Sequence, residues 1–153
     1  MRSSYRVLAY IIAAEVVVQA AAIAFAVFGF FKWIDDGNTF DKAVMNDENA
    51  SFTGLVGFVI HGMNGTMVIP LLALVLLVIS FFAKVPGGVK WAGGILALVV
   101  VQVLLGMFAH VAPVLGPFHG INALALFAVA VMAGRRVSSA DTEDLSGWQP
   151  VEA

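Results

Sequence analysis

The chain has no cysteine among its 153 residues. This absence excludes disulfides, thiolate metal sites, iron–sulfur clusters, covalently attached c-type haem and catalysis by a thiol. Charge is also scarce, because Asp, Glu, Lys and Arg make up 12% of the residues and the net charge is −2. Nucleic acid is therefore excluded as a partner, since phosphate binding needs clustered Lys and Arg.

Hydrophobic residues make up 61% of the chain, which leaves too little polar surface to cover a soluble globule of this size. The sequence predicts an all-α integral membrane protein, a four-helix bundle in the lipid bilayer whose apolar segments each provide the roughly 20 residues that span it. The predicted helices are residues 7–31, 52–83, 91–110 and 117–134, with Pro70 predicting a kink in the second. They form a transmembrane domain over residues 1–137, with a polar outer loop at 32–51 and a polar, disordered cytoplasmic tail at 138–153.

Basic residues predict the orientation of the helices. One side of the bundle carries most of them, namely Arg2, Arg6, Lys84, Lys90, Arg135 and Arg136, and the other side carries Lys32 and Lys42. The positive-inside rule places both termini in the cytoplasm and the acidic loop outside. We therefore expect a multi-pass protein of the cell inner (plasma) membrane.

A short motif occurs twice in the chain, as Ile60-His61-Gly62-Met63-Asn64-Gly65 and as Phe118-His119-Gly120-Ile121-Asn122-Ala123. A second repeated word, Val-Val-Val-Gln, precedes the copies and ends at Gln19 and Gln102. We interpret the chain as two related helical hairpins, each of which ends in a histidine-bearing helix.

The two histidines predict a cofactor site, because a polar side chain inside a bilayer is costly and indicates function. If a two-fold axis along the membrane normal relates the hairpins, both imidazoles ligate one metal near the outer face. Small residues around them leave room for a flat macrocycle, and no Asp, Glu or Cys lies at matching depth for zinc or copper. We expect one haem b per chain, with His61 and His119 as metal ligands and with these further binding residues: Gly57, Gly65, Asn64, Asn122, Ala123 and His110.

The block Gln102-Val103-Leu104-Leu105-Gly106, then Leu115-Gly116-Pro117-Phe118-His119 leading into Asn122, resembles part of the haem A synthase family. That family is built from two four-helix units with paired histidines near a haem, and the resemblance implies that His61 and His119 are haem ligands. This chain has one such unit. Phe58 stands where the family has an acidic residue, and Gly62 where it has an arginine. The resemblance therefore implies a small b-type cytochrome that holds the cofactor without the oxidation chemistry.

The expected function is electron transfer or haem handling by a six-coordinate iron, with a quinol or another redox partner, and stand-alone catalysis is not expected. An alternative is a haem-free accessory or assembly subunit of a larger respiratory-type membrane complex, or a homo-oligomer, in which the repeated motif packs helices. A small transporter or channel is a third alternative. Glu15, inside the first helix, is expected either to handle protons or quinol or to hydrogen-bond Gln19, Gln102 or an Asn.

Overall fold

The computed structural model of the chain describes residues 1–47 and 50–146, and these contain helices and no strand. The helices are α1 (Arg2–Asp35), α2 (Lys42–Met45), α3 (Leu55–Met63), a π-helical segment (Asn64–Val68), α4 (Ile69–Ser80), α5 (Gly88–Ala109) and α6 (Leu115–Ser146). Four stretches are long and apolar enough to cross a membrane: Arg2–Asp35, Leu55–Ser80, Gly88–Ala109 and Leu115–Val137. The prediction of an all-α protein with four membrane-spanning helices is confirmed to this extent.

Large apolar side chains are exposed along these helices, as at Phe28 with 75% and Leu124 with 71% of the side chain accessible. Soluble proteins rarely expose apolar surface on this scale, whereas the acyl chains of a bilayer cover it at no cost. The exposed helix faces are therefore lipid-contacting surfaces.

The predicted outer loop is shorter than expected and partly helical. Helix α1 continues to Asp35, and an ion pair between Lys32 and Asp36 supports its last turn. Helix α2 lies inside the predicted loop and begins because Asp41 caps it, its carboxylate accepting from Ala43 N at 2.9 Å and Val44 N at 3.0 Å. The expected continuous loop at 32–51 is wrong in these two places.

Helix α6 runs to Ser146, whereas the sequence predicted an end near Gly134 and a disordered tail from residue 138. The prediction is wrong for residues 138–146. No glycine or proline follows Gly134 until Gly147, so no strong helix breaker ends the helix earlier. Residues 147–153, the remainder of the predicted tail, lie outside the described residues.

The chain forms two compact units by its internal contacts. Unit 1 comprises Met1–Val16 and the chain from Val68 onwards. Its core receives residues from all four long helices, which confirms helical bundle packing within this unit. The largest fully buried side chains in it are Tyr5, Ile12, Leu76, Ile95, Val99, Leu126 and Val137. At one end of the unit, the Tyr5 hydroxyl donates to Gly88 O at 3.1 Å and the Arg136 guanidinium lies 4.6 Å from the centre of the Trp91 ring.

Unit 2 comprises Val17–Met67, and close packing of glycines holds α3 against α1 within it. A Cβ built on Gly57 would lie 2.9 Å from Ala26 N, and one built on Gly54 would lie 2.9 Å from Phe25 O. Gly54 also has φ of 111°, a left-handed conformation that other residues adopt with strain. The helices approach so closely because neither glycine has a side chain.

Candidate functional site

His119 lies on α6 and is held by the neighbouring helix α5. Its ring nitrogen Nδ1 is 3.1 Å from the main-chain oxygen of Gln102. A carbonyl oxygen only accepts, so this contact is a hydrogen bond when Nδ1 carries the proton. The lone pair of the neutral ring then belongs to Nε2, the nitrogen that a metal would bind.

Asn122, three residues after His119 and on the same side of α6, ties the helix to α5 a second time. Its Nδ2 donates to Leu98 O at 2.9 Å and to the side-chain oxygen Oε1 of Gln102 at 2.6 Å. The imidazole fits against α5 because residue 106 is glycine, where a Cβ would lie 3.1 Å from His119 Cε1. His119, Asn122, Gln102 and Gly106 therefore form one set within unit 1.

His61 in unit 2 makes the same main-chain contact, with Nδ1 3.1 Å from Gln19 O on α1. The Gln19 amide satisfies its neighbours when its nitrogen points to His61 and its oxygen to Asn64. The nitrogen is then 2.8 Å from His61 Nδ1 and 3.0 Å from His61 O. The oxygen accepts from Asn64 Nδ2 at 3.1 Å and from Gly65 N at 3.2 Å.

Two groups of one glutamine therefore compete for Nδ1 of His61. The main-chain oxygen requires a proton on Nδ1, whereas the side-chain amide donates to Nδ1 only when that atom carries the lone pair. At His119, the Gln102 side-chain oxygen Oε1 accepts from Asn122, as the Gln19 side-chain oxygen accepts from Asn64.

The Gln19 amide also explains where α3 changes to the π-helical segment. It donates to His61 O and accepts from Gly65 N. In a regular α-helix, these two backbone groups would hydrogen-bond each other. The π-helical segment occupies the next turn, Asn64–Val68, just before Pro70, which has no N–H and whose ring crowds the carbonyl four residues earlier. The Thr66 hydroxyl donates to Gly62 O at 2.7 Å and satisfies that carbonyl.

The two sets share their local geometry. In each, a histidine Nδ1 lies 3.1 Å from a glutamine main-chain oxygen, and an asparagine three residues after the histidine donates to the side-chain oxygen of that glutamine. His61 belongs to unit 2 and His119 to unit 1. Their joint ligation of one iron stays a prediction.

Of the other predicted site residues, Gly57 and Gly65 border α1. The space beside Gly57 is filled by the α1 backbone, and a Cβ on Gly65 would lie 3.3 Å from the Gln19 side chain. Open space lies beside Gly62, Gly116 and Gly120, where a Cβ would meet no atom within 4 Å. The space that the sequence predicted beside Gly57 and Gly65 is therefore occupied by α1, and a site for a macrocycle stays a prediction.

Ala123 is half-buried beside Asn122, and His110 is exposed at the residue that follows α5. Among residues 1–47 and 50–146, no three or more His, Asp or Glu side chains come together as a metal-binding cluster.

Unit 2 also contains an apolar cavity of about 540 Å³ beneath the loop between α1 and α3. Four phenylalanines supply much of its wall, with ring centres 5.0 Å apart for Phe30 and Phe40, 5.6 Å for Phe30 and Phe52, and 6.2 Å for Phe52 and Phe58. Asp47 is an acidic residue of the lining. This cavity was not predicted from the sequence.

The glutamines Gln19 and Gln102 were not predicted as partners of the histidines. The available signal was the repeated Val-Val-Val-Gln word, which marks a glutamine on the helix before each histidine motif. For the cavity, the signal was phenylalanine at both edges of the polar loop, at Phe30 and Phe52, and within it, at Phe40.

Comparisons of the chain with models of protein families, with curated proteins and with solved structures gave no match.

Proposed function

We propose that this protein is a multi-pass plasma-membrane protein that binds one haem b through His61 and His119 and serves in electron transfer or haem handling. The observation that carries the proposal is the contact of 3.1 Å between Nδ1 of each histidine and a glutamine main-chain oxygen. Metal-ligating histidines usually donate their other ring N–H to such an acceptor, which fixes the ring and makes Nε2 a better ligand.

The chain's own residues fit a haem iron in their donor chemistry. His61 and His119 offer imidazole nitrogens, which are axial ligands that haem iron accepts. Bound haem b exchanges one electron between its ferric and ferrous states. If both imidazoles held the iron, no ligand position would be left for oxygen, so the arrangement favours electron transfer over oxygen chemistry.

At His61, ligand binding has a consequence for Gln19. Coordination through Nε2 selects the ring with its proton on Nδ1, which favours the bond to the Gln19 main-chain oxygen and turns the side-chain amide nitrogen away.

The proposed architecture is two related hairpins with both termini in the cytoplasm. The matching Gln–His–Asn geometry of the two units supports the relation, and the distribution of Lys and Arg supports the orientation. The resemblance to one four-helix unit of haem A synthases points to the same pair of histidines.

A second candidate function has its own observation. Helices pack closely at Gly54 and Gly57, and the side chains of Gln19 and Asn122 join neighbouring helices. A haem-free accessory subunit of a membrane complex would need such packing to be stable. On this reading the Gln–His–Asn sets join helices and bind nothing.

Absorption spectra of the purified full-length protein, oxidised and dithionite-reduced, separate the two functions. Haem b between two histidines gives a low-spin b-type spectrum that is lost in both His61→Ala and His119→Ala. His110→Ala tests the third histidine, which the sequence placed among the haem-binding residues. Because His110 is exposed and lies outside both sets, we expect the spectrum of this variant to be unchanged. A colourless protein, purified folded from cells supplied with haem, contradicts the proposal and favours the accessory subunit.

A further inference from the structure

The aromatic cavity of unit 2 has the size and chemistry of a ligand site. Its volume of about 540 Å³ falls within the roughly 300 to 1,000 Å³ of small-molecule pockets, which are mostly apolar with few polar groups. The residues that define it here are Phe30, Phe40, Val44, Asp47, Phe52 and Phe58. We propose that this cavity binds the ring of a membrane quinone or quinol. The assignment of this ligand as the redox partner of the protein rests on the proposed function.

A planar ring suits the walls. Phe30 meets Phe40 and Phe52 edge to face, with interplanar angles of 88° and 63°, so ring faces and ring edges both border the space. Aromatic pairs prefer offset-stacked or edge-to-face arrangements, and a quinone ring can adopt either against such walls. The flanking helices are apolar enough to lie in the bilayer, from which a lipid-soluble ligand can enter.

The acidic residues at this cavity disfavour a phospholipid or an acyl chain as its ligand. Asp47 lines the cavity, and Asp35, Asp36 and Asp41 lie in the same short part of the chain. Carboxylates repel an anionic phospholipid head group, and an acyl chain brings no group for Asp47 to bind. A quinol is neutral, apolar and carries hydroxyl groups that donate to a carboxylate.

The cavity also lies close to a predicted haem ligand within unit 2. Phe58 and His61 are three residues apart on α3, so they share a face of the helix and are separated along its axis by about 4.5 Å. A ring seated against Phe58 is thus one helical turn from the histidine. This placement ties the cavity to the electron-transfer reading of the proposed function.

Trp33 provides a direct measurement of binding, because its ring centre lies 6.2 Å from that of Phe30 and 6.0 Å from that of Phe52. Replacing the other two tryptophans, Trp91→Phe and Trp148→Phe, leaves Trp33 as the single emitter. The full-length protein in lipid nanodiscs is titrated with decylubiquinone, a quencher of tryptophan fluorescence. Displacement by decylubiquinol gives the quinol affinity.

We expect saturable quenching whose affinity falls at least tenfold in Val44→Phe, which fills the cavity, and in Phe40→Ala, which removes one wall. Phe28→Ala, on α1 with 75% exposure and outside the lining, is the matched control and keeps the wild-type affinity. Asp47→Asn should lower quinol affinity at least tenfold and leave quinone affinity within twofold, because only quinol donates to the carboxylate.

Quenching that does not saturate, or that is the same in Val44→Phe, Phe40→Ala and wild type, overturns the inference. Displacement of decylubiquinone by oleate at equal concentration also overturns it, since the cavity would then hold an acyl chain. The titration reads Trp33 and needs no haem. A protein that binds quinone specifically but has no haem spectrum therefore upholds the quinone site while contradicting the proposed function.

Discussion

A glutamine main-chain oxygen lies 3.1 Å from Nδ1 of both His61 and His119. Substituting Gln19 or Gln102 leaves this oxygen in place, because it belongs to the backbone. The Asn122 side chain performs a second task, which is to join α6 to α5. This second task can be tested by substituting Asn122 alone.

Asn122→Leu tests the second task in unit 1. The change removes the hydrogen bonds to Leu98 O and Gln102 Oε1, and interhelical hydrogen bonds in membranes contribute about 0.6 kcal/mol each, with a maximum near 1.7. We expect the free energy of unfolding in mixed detergent micelles to fall by about 1 to 2 kcal/mol, with the His119 contact retained. Ile121→Leu, at a neighbouring residue that is 64% exposed, is the control and should change little. Equal stability of Asn122→Leu and wild type would mean that Asn122 does not hold the helices together.

At this scale, the sequence predicted the histidines and asparagines but not the glutamines that contact them. His61, His119, Asn64 and Asn122 were identified because a rare polar residue in an apolar helix stands out, and here it occurs twice in one order. Gln19 lies on α1 and approaches His61 only in the folded protein, so periodicity within either helix carried no sign of that contact. The repeated Val-Val-Val-Gln word marked the glutamine without naming its partner.

At the scale of the helix, the glycines of α3 have opposite surroundings. Gly57 is buried against α1, whereas Gly62 is exposed with no atom within 4 Å of a built Cβ. Alanine is a better helix former than glycine by roughly 0.5 to 1 kcal/mol. Any loss of stability in Gly57→Ala must therefore come from packing against α1. Substituting alanine at Gly57 and at Gly62 therefore separates the effect of helix propensity from the effect of packing between α3 and α1.

We expect Gly57→Ala to destabilise the protein by about 1 to 3 kcal/mol, because its methyl group would overlap backbone atoms of α1 that cannot move as a flexible side chain can. Gly62→Ala should be neutral or slightly stabilising. Thermal unfolding in detergent, followed by helical circular dichroism, measures both. Should the two variants melt together, α3 would not pack on α1 as closely as the structure has it.

Gln19 and Gln102 offer a second comparison between elements. The Gln19 amide has four contacts and stands in for an α-helical hydrogen bond at the start of the π-helical segment, whereas the Gln102 side chain accepts from Asn122. At about 0.6 kcal/mol per interhelical bond, Gln19→Leu should cost about 2 kcal/mol and Gln102→Leu about 0.6 kcal/mol. Unfolding free energies from detergent titration test the order. A larger cost for Gln102→Leu would contradict the role assigned to the Gln19 amide.

Helix existence was predictable and helix detail was not. The length of each apolar run predicted four spans, while the ends of α1 and α6 were missed because polar residues continue both helices, as Lys32, Asp35 and Arg135 do. Pro70 predicted a disturbance in the second span. The π-helical form of that disturbance depends also on Gln19, a residue on another helix, and so could not be read locally.

For the whole molecule, the sequence could not separate core from lipid-facing residues. Leu76 is fully buried in unit 1 and Leu71 is 61% exposed, yet both are leucines of α4. In a soluble protein the solvent side of a helix would be polar and the division could be read. In a bilayer both environments are apolar, so hydropathy predicts the spans and leaves the packing open.

The orientation of the chain is a property of the whole molecule, and the absence of cysteine makes its measurement direct. Single cysteines are introduced at Ser3, Asn38 and Lys90, which lie respectively at the start of α1, in the loop after α1, and at the start of α5. The excess of Arg and Lys near Ser3 and Lys90 predicts that both lie in the cytoplasm. A membrane-impermeant maleimide should then label Asn38→Cys in intact spheroplasts and label Ser3→Cys and Lys90→Cys only after permeabilisation. The reverse pattern would place the aromatic cavity and its acidic loop inside the cell, and a quinone partner would then exchange protons with the cytoplasm.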